Sequence, residues 1–152
     1  MITPSVADYL RALRIPLRLG CTNETGWPVV LSLWYLYEDG QLWCATQRQA
    51  RVVRYLSQNP RCAFEVAADQ PPYCGVRGQA IATLDPRAGA EMLERLLVRY
   101  LGGTDNALAR RLLAQRENEV AIAIRPERVF TWNYTRRMRG SVSVEREHPC
   151  PE

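Results

Sequence analysis

The sequence predicts a mainly β fold of the α+β class: an antiparallel barrel of about six strands with three or four peripheral helices. Three observations lead there. β-rich runs follow one another through short links. The dipeptide Asp39-Gly40 divides two of them, as a tight hairpin turn does. The helix-like segments do not alternate regularly with the strands, as a parallel, doubly wound sheet would require.

Each element has its own signal. Thr3-Pro4 starts a short helix, because proline at the first helical position forfeits an N–H that has no partner there. Val6, Tyr9, Leu10 and Leu13 follow at three-to-four spacing, and Pro16 ends the helix. "LRLGCTNETGWP" reads as a strand running into a turn at Glu24, Thr25 and Gly26, and "VVLSLWYLYEDGQLWCAT" is the hairpin. A helix follows Thr46, starting around Gln49, with Val52, Val53 and Leu56 on one side and Asn59-Pro60 as its stop. "RCAFEVAA" is a short strand. The double proline of "DQPPY" makes a loop, and "YCGVRGQAIATLD" is a longer strand whose Gly75 and Gly78 mark bulges or close backbone approach. "PRAGAEMLERLLVRYLGG" is a helix bounded by Pro86 and Gly102-Gly103, with Met92, Leu93, Leu96, Leu97 and Tyr100 on its apolar face. Thr104 or Asp105 caps a second short helix, and "NEVAIAIRPERVFTWNY" supplies two more strands around Arg125-Pro126. Residues 1–140 make one domain on this reading, and residues 141–152 a loose, polar, Pro-rich tail.

Composition narrows the chemistry. A chain of 152 residues, 47% hydrophobic, can bury a core without staples. No apolar run reaches the roughly 18 residues that cross a bilayer, and "MITPSVADYL" lacks a secretory signal's pattern, so a cytoplasmic protein is expected. The five cysteines are widely spaced without a CxxC pair, which fits small buried hydrophobes in a reducing compartment. No metal site is expected, since a zinc centre needs paired ligands and the single histidine, His148, lies in the tail. That lone histidine also argues against Ser-His or Cys-His catalysis. All twenty basic residues are arginine, which excludes lysine Schiff-base chemistry. The net charge of +4, with arginines scattered among sixteen acids, suits an anionic small molecule and not a nucleic acid.

The positive charge has one notable placement. Arg48, Arg51 and Arg54 recur every third residue where a strand hands over to a helix. A helix N-terminus concentrates unpaired N–H groups and about half a positive charge, and forked guanidinium donors there suit a phosphate monoester. The same spacing also fits a helix face turned to water. The preceding hairpin offers Leu31, Ser32, Leu33 and Trp34 to a flat apolar head, although tryptophans on strands also serve as core or dimer interface. Flavin mononucleotide (FMN) has the shape these two features would hold.

Four segments in order resemble the pyridoxamine 5'-phosphate oxidase-like flavoproteins, whose fold is the FMN-binding split barrel. The resemblance spans residues 17–134. "LSLWYLYEDGQLWCAT" is similar to the family hairpin along the isoalloxazine and "TQRQARVVRYLSQNP" to its phosphate segment. "GVRGQA" resembles the next strand and "RPERVFTWNY" the closing one. The resemblance implies a homodimer with FMN sites at the subunit interface. In it Leu31, Ser32, Leu33 and Trp34 flank the ring, while Thr46 and Arg51 hold the phosphate between Ala45, Gln47, Arg48 and Val52. Val52 stands where some members carry a second basic residue, a role left to Arg48 or Arg54. Trp132 reaches the flavin from the closing strand, across the dimer, and Tyr73 and Arg137 face the substrate. The likeness stops short of the substrate, because the first ring-lining strand has Val30 to Tyr35 where the oxidases carry an Arg and a Lys. The C-terminal segment likewise offers Arg136, Arg137 and Arg139 without the accompanying histidine. The implied function is an FMN-dependent oxidoreductase acting on a small molecule other than pyridoxamine phosphate, with no catalytic side chain assigned. A deazaflavin coenzyme in place of FMN, or a non-catalytic flavin- or haem-binding protein of the same fold, are the alternatives.

Overall fold

The computed structural model describes residues 2–140 and 149–151. In them the chain forms α1 (Pro4–Ala12), β1 (Leu17–Thr22), β2 (Pro28–Leu33), β3 (Leu36–Glu38), β4 (Gln41–Gln47) and α2 (Arg51–Gln58). Then come β5 (Arg61–Ala67), β6 (Cys74–Asp85), α3 (Gly89–Leu101), α4 (Ala107–Leu113), a 3-10 turn and β7 (Glu119–Asn133). One antiparallel sheet carries all seven strands in the order β2-β1-β5-β6-β7-β4-β3. The two edge strands, β2 and β3, do not pair with each other, so the sheet curls without closing: a split barrel with helices around it.

The strand count is seven where the sequence led to about six, and two stretches are divided differently from the expectation. The run before Asp39-Gly40 breaks at Trp34-Tyr35. Its first part pairs with β1 (Leu17 opposite Leu33) and its second with β4 (Leu36 opposite Trp43), so one sequence run serves both edges of the sheet. Conversely, Glu119–Asn133 is one strand that passes through Pro126. Gln79 pairs with Arg128 but Ala80 pairs with Pro126, leaving Glu127 as an extra bulged residue. β4 covers β7 only as far as Ile124, so the proline sits at a bulge beside an unpaired edge, where its missing N–H disrupts no ladder.

Local chemistry sets the ends of the elements. The Thr3 side chain accepts from the Val6 N–H at 3.3 Å, and Pro4 opens α1. Asp39 and Gly40 both have positive φ (49° and 77°), as a type I′ hairpin turn requires. Asn106, and neither Thr104 nor Asp105, caps α4 by accepting from the Ala109 N–H at 2.8 Å. Gly89 lets α3 approach β7 closely, since a Cβ there would lie 2.1 Å from the Glu119 carbonyl oxygen.

β4 is covered on both faces, and this splits the core in two. One face joins Leu42 and Cys44 to Leu17, Leu19, Phe64, Val76, Ile122 and Ile124 inside the curl, under α1 and α2. The other carries Trp43 and Ala45 against Leu36, Met92 and Leu96 under α3. Arg99, near the end of α3, ties α1 down by donating to the carbonyls of Leu10, Arg11 and Leu13.

Two sequence expectations about the cysteines and tail need correction. Cys21, Cys44 and Cys62 are buried thiols, but Cys74 and Cys150 form a disulfide. The fold brings the start of β6 and the tail together, a proximity that spacing in sequence does not encode. The tail is not loose throughout, because Pro151 is buried and Cys150 packs on the main core. His148 lies outside the described residues.

Candidate functional site

The strand-to-helix junction after β4 forms one wall of a cleft of about 450 Å³, lined by Asn23, Val29, Leu31, Thr46, Ala50, Arg51, Val52 and Tyr55. Each lining residue is there for a local reason. Val29 and Leu31 alternate on β2 and point to the side of the sheet that packs on the core. Thr46 continues the inward face of Leu42 and Cys44 at the end of β4. Arg51 is the first residue of α2 and stays exposed, while Val52, Tyr55 and Leu56 bury the opposite face of the helix.

The helix start is electrostatically open. Ala50 occupies the cap position without a side-chain hydrogen bond, and the first turn holds no acid. Among the described residues no carboxylate lines the cleft. The positive end of the helix dipole, Arg51 and Thr46 therefore line a pocket with no described carboxylate to neutralise them, next to an apolar wall of Val29, Leu31 and Tyr55. This donor set fits an anion no larger than a phosphate monoester, attached to a body that tolerates apolar surface.

The structure thus brings together Leu31, Thr46, Arg51 and Val52 and separates other residues that the sequence grouped with them. Ser32 is exposed on the opposite face of β2, and Leu33 packs on the core beyond the cleft. Trp34 stacks flat on Tyr100, with ring centroids 5.0 Å apart and planes 7° from parallel, under α3. Ala45 faces the same helices. Gln47 accepts from the Gln49 side chain at 2.9 Å, and Arg48 is exposed with its N–H on the Asn118 carbonyl at 2.7 Å. Arg54 is held by Glu24 in the β1–β2 turn and lies over the Tyr55 ring. Of the three spaced arginines, only Arg51 lines the cleft. Asn23, Val29, Ala50 and Tyr55 were missed. Val29 was legible from its two-residue spacing to Leu31, whereas Asn23 arrives through the β1–β2 turn, folded across by the Glu24–Arg54 ion pair.

Trp132 is distant. It pairs with Gly75 on β6, with Arg77 over its ring at 5.5 Å. Pro60, just past α2, accepts from Ala82, seven residues further along β6. At about 3.3 Å per residue the separation along the strand is about 23 Å. Tyr73 and Arg137 are exposed at the same end as Trp132, and the Tyr73 carbonyl accepts from the Tyr134 N–H at 2.9 Å. Between the two ends runs the outer face of β2, β1, β5, β6 and β7. It is grooved by hollows of about 620 and 410 Å³ and carries Val30 and Phe130, 71% and 53% exposed.

Outside the cleft, perturbed groups follow burial. Desolvation raises the Tyr35 hydroxyl, which donates to the Leu10 carbonyl at 2.9 Å, and the Cys44 and Cys21 thiols, and it pushes Cys62 up to about 12. Burial also raises the carboxyl of Glu119 beside α3. Among the described residues no group of three or more His, Cys, Asp or Glu side chains could hold a metal ion. No helix there is long and apolar enough to cross a membrane.

No protein-family model and no curated protein matches the chain. Solved structures do. A conserved hypothetical protein from Mycobacterium tuberculosis superposes with a TM-score of 0.76 at 22% identity, covering 97% of this chain and 94% of that one. A protein named F420 reductase gives a TM-score of 0.69 at 19% identity, over 81% of this chain and 94% of the other. A FAD-binding protein from Mesorhizobium loti gives 0.57 at 21% identity, over 82% and 87%. At these identities the likeness shows the fold alone: an antiparallel split barrel with peripheral helices.

Proposed function

We propose that this chain is an FMN-binding flavoprotein that works as an oxidoreductase on a small molecule, in a homodimer with the cofactor at the subunit interface. The observation that carries the reading is the convergence of Leu31, Thr46, Arg51 and Val52, drawn from two strands and a helix, on one uncapped, acid-free helix start. Arg51, Thr46 and the α2 N-terminus would hold the phosphate. Val29 and Leu31 would keep water from the near edge of the ring. Bound FMN supplies the hydride-transfer chemistry, and the chain adds position and positive field. Among the described residues the cleft lining holds no carboxylate and no histidine.

The same geometry is compatible with the dimer. Thr46 pairs with Val120, twelve positions before Trp132 on β7, so a role for Trp132 at the cofactor would be in the partner's cleft. The outer sheet face, with exposed Val30 and Phe130 between grooves, would be the surface for that contact. A deazaflavin coenzyme is the second reading, favoured by the likeness to the protein named F420 reductase. Reconstitution of the purified chain with each cofactor, followed by absorbance and sedimentation, tests both. A yellow dimer holding one FMN per chain is expected. A protein that takes up neither cofactor would overturn the assignment.

A further inference from the structure

We propose that Cys74 and Cys150 form a reversible thiol–disulfide switch that pins residues 149–151 to the end of the sheet bearing Trp132. The two Cα atoms lie 5.9 Å apart across 76 positions of sequence. The two sides of the bridge differ. Cys74 opens β6 and is 1% exposed, and its carbonyl accepts from the Tyr9 hydroxyl at 3.3 Å. Cys150 is only partly buried and sits in a segment with no helix or strand. An incoming thiolate therefore reaches the Cys150 sulfur first. Attack there joins the reagent to Cys150 and expels Cys74 as a thiolate. A dithiol reductant completes the step by breaking the mixed disulfide and leaving as its own cyclic disulfide, so two electrons and two protons pass to the protein. In reverse, the two protein thiols give two electrons and two protons to a low-molecular-weight disulfide, which leaves as two thiols.

Position gives the switch a consequence. Cys74 pairs with Asn133 and Gly75 with Trp132, and a Cβ on Gly75 would lie 2.7 Å from the Trp132 ring. The bridged residue is therefore next to the strand position against which that ring is pressed. Tyr73 and Tyr134 bond across the same end. The other thiols do not compete, because Cys21, Cys44 and Cys62 are buried elsewhere in the core and desolvation keeps them protonated. The inference is independent of the cofactor reading.

The full chain is equilibrated natively with mixtures of oxidised and reduced dithiothreitol, quenched with acid, then denatured and alkylated for mass spectrometry. One two-electron transition is expected, raising the alkylated cysteines from three to five. Cys150→Ser removes it. The reduced form melts about 10 °C lower, from the loop the bridge closes. Amide exchange at Tyr134 quickens about tenfold or more in the reduced form as that end opens. Reduction only after denaturation would make the bridge a fixed staple and overturn the switch. Peptide mapping that pairs either cysteine with another partner, or equal Tyr134 exchange in both forms, would overturn it too.

Discussion

Replacing Arg51 with alanine isolates the interaction on which the cofactor reading rests. Among the described residues Arg51 is the one arginine on the lining of the cleft. A hydrogen bond to a charged partner contributes about 1.5–3 kcal/mol. Arg51 is exposed, so solvent screens it and the lower part of that range applies, about 1.5–2 kcal/mol. The helix N-terminus and Thr46 remain in the variant, so binding weakens without vanishing. At 1.4 kcal/mol per decade, the Kd for FMN rises about 10- to 30-fold. Arg54→Ala is the matched control. It removes the same charge three residues on, but its guanidinium is engaged by Glu24 and lies off the cleft, so a change under about twofold is expected. Quenching of flavin fluorescence measures both, and riboflavin, which lacks the phosphate, should bind wild type and Arg51→Ala alike. If Arg51→Ala held FMN as tightly as wild type, or if riboflavin binding fell in parallel, the phosphate would not be at the α2 N-terminus.

Three further outcomes test the fold around the site. Gly89→Ala places a methyl against the Glu119 carbonyl, and overpacking of this kind should cost about 1–3 kcal/mol, seen as a lower Tm. Arg99→Met keeps an aliphatic stem but leaves the Leu10, Arg11 and Leu13 carbonyls without their shared donor. A loss of about 2–3 kcal/mol is expected in denaturant titrations, with faster amide exchange confined to α1. Glu119 has its folded-state pKa raised by burial, so the native state binds its proton more tightly than the unfolded chain does. Stability should therefore fall as pH rises from about the ordinary carboxyl value through the raised one. Glu119→Gln should flatten that part of the Tm–pH curve, and an unchanged curve would show that another group is responsible.

The sequence by itself determined the local elements, because their signals are local. Pro4 after Thr3, the Asp39-Gly40 turn, the Gly102 stop and the apolar face of α3 each specify backbone geometry through neighbouring residues. It also determined that Thr46 and Arg51 stand together, since five positions across a strand end and a helix start leave little freedom. Only the tertiary structure decided which of the residues between Val29 and Trp34 serve that corner. Alternation turns Ser32 to the far face, and the break at Trp34-Tyr35 carries Trp34 under α3 to stack on Tyr100. The same holds for Glu24 claiming Arg54, for Asn23 entering the cleft, for Cys150 reaching Cys74 and for Trp132 lying at the other end of β6. Each of these is a meeting of residues far apart in the chain. Its energy comes from packing and pairing that exist only once the sheet has curled, so no local pattern can announce it.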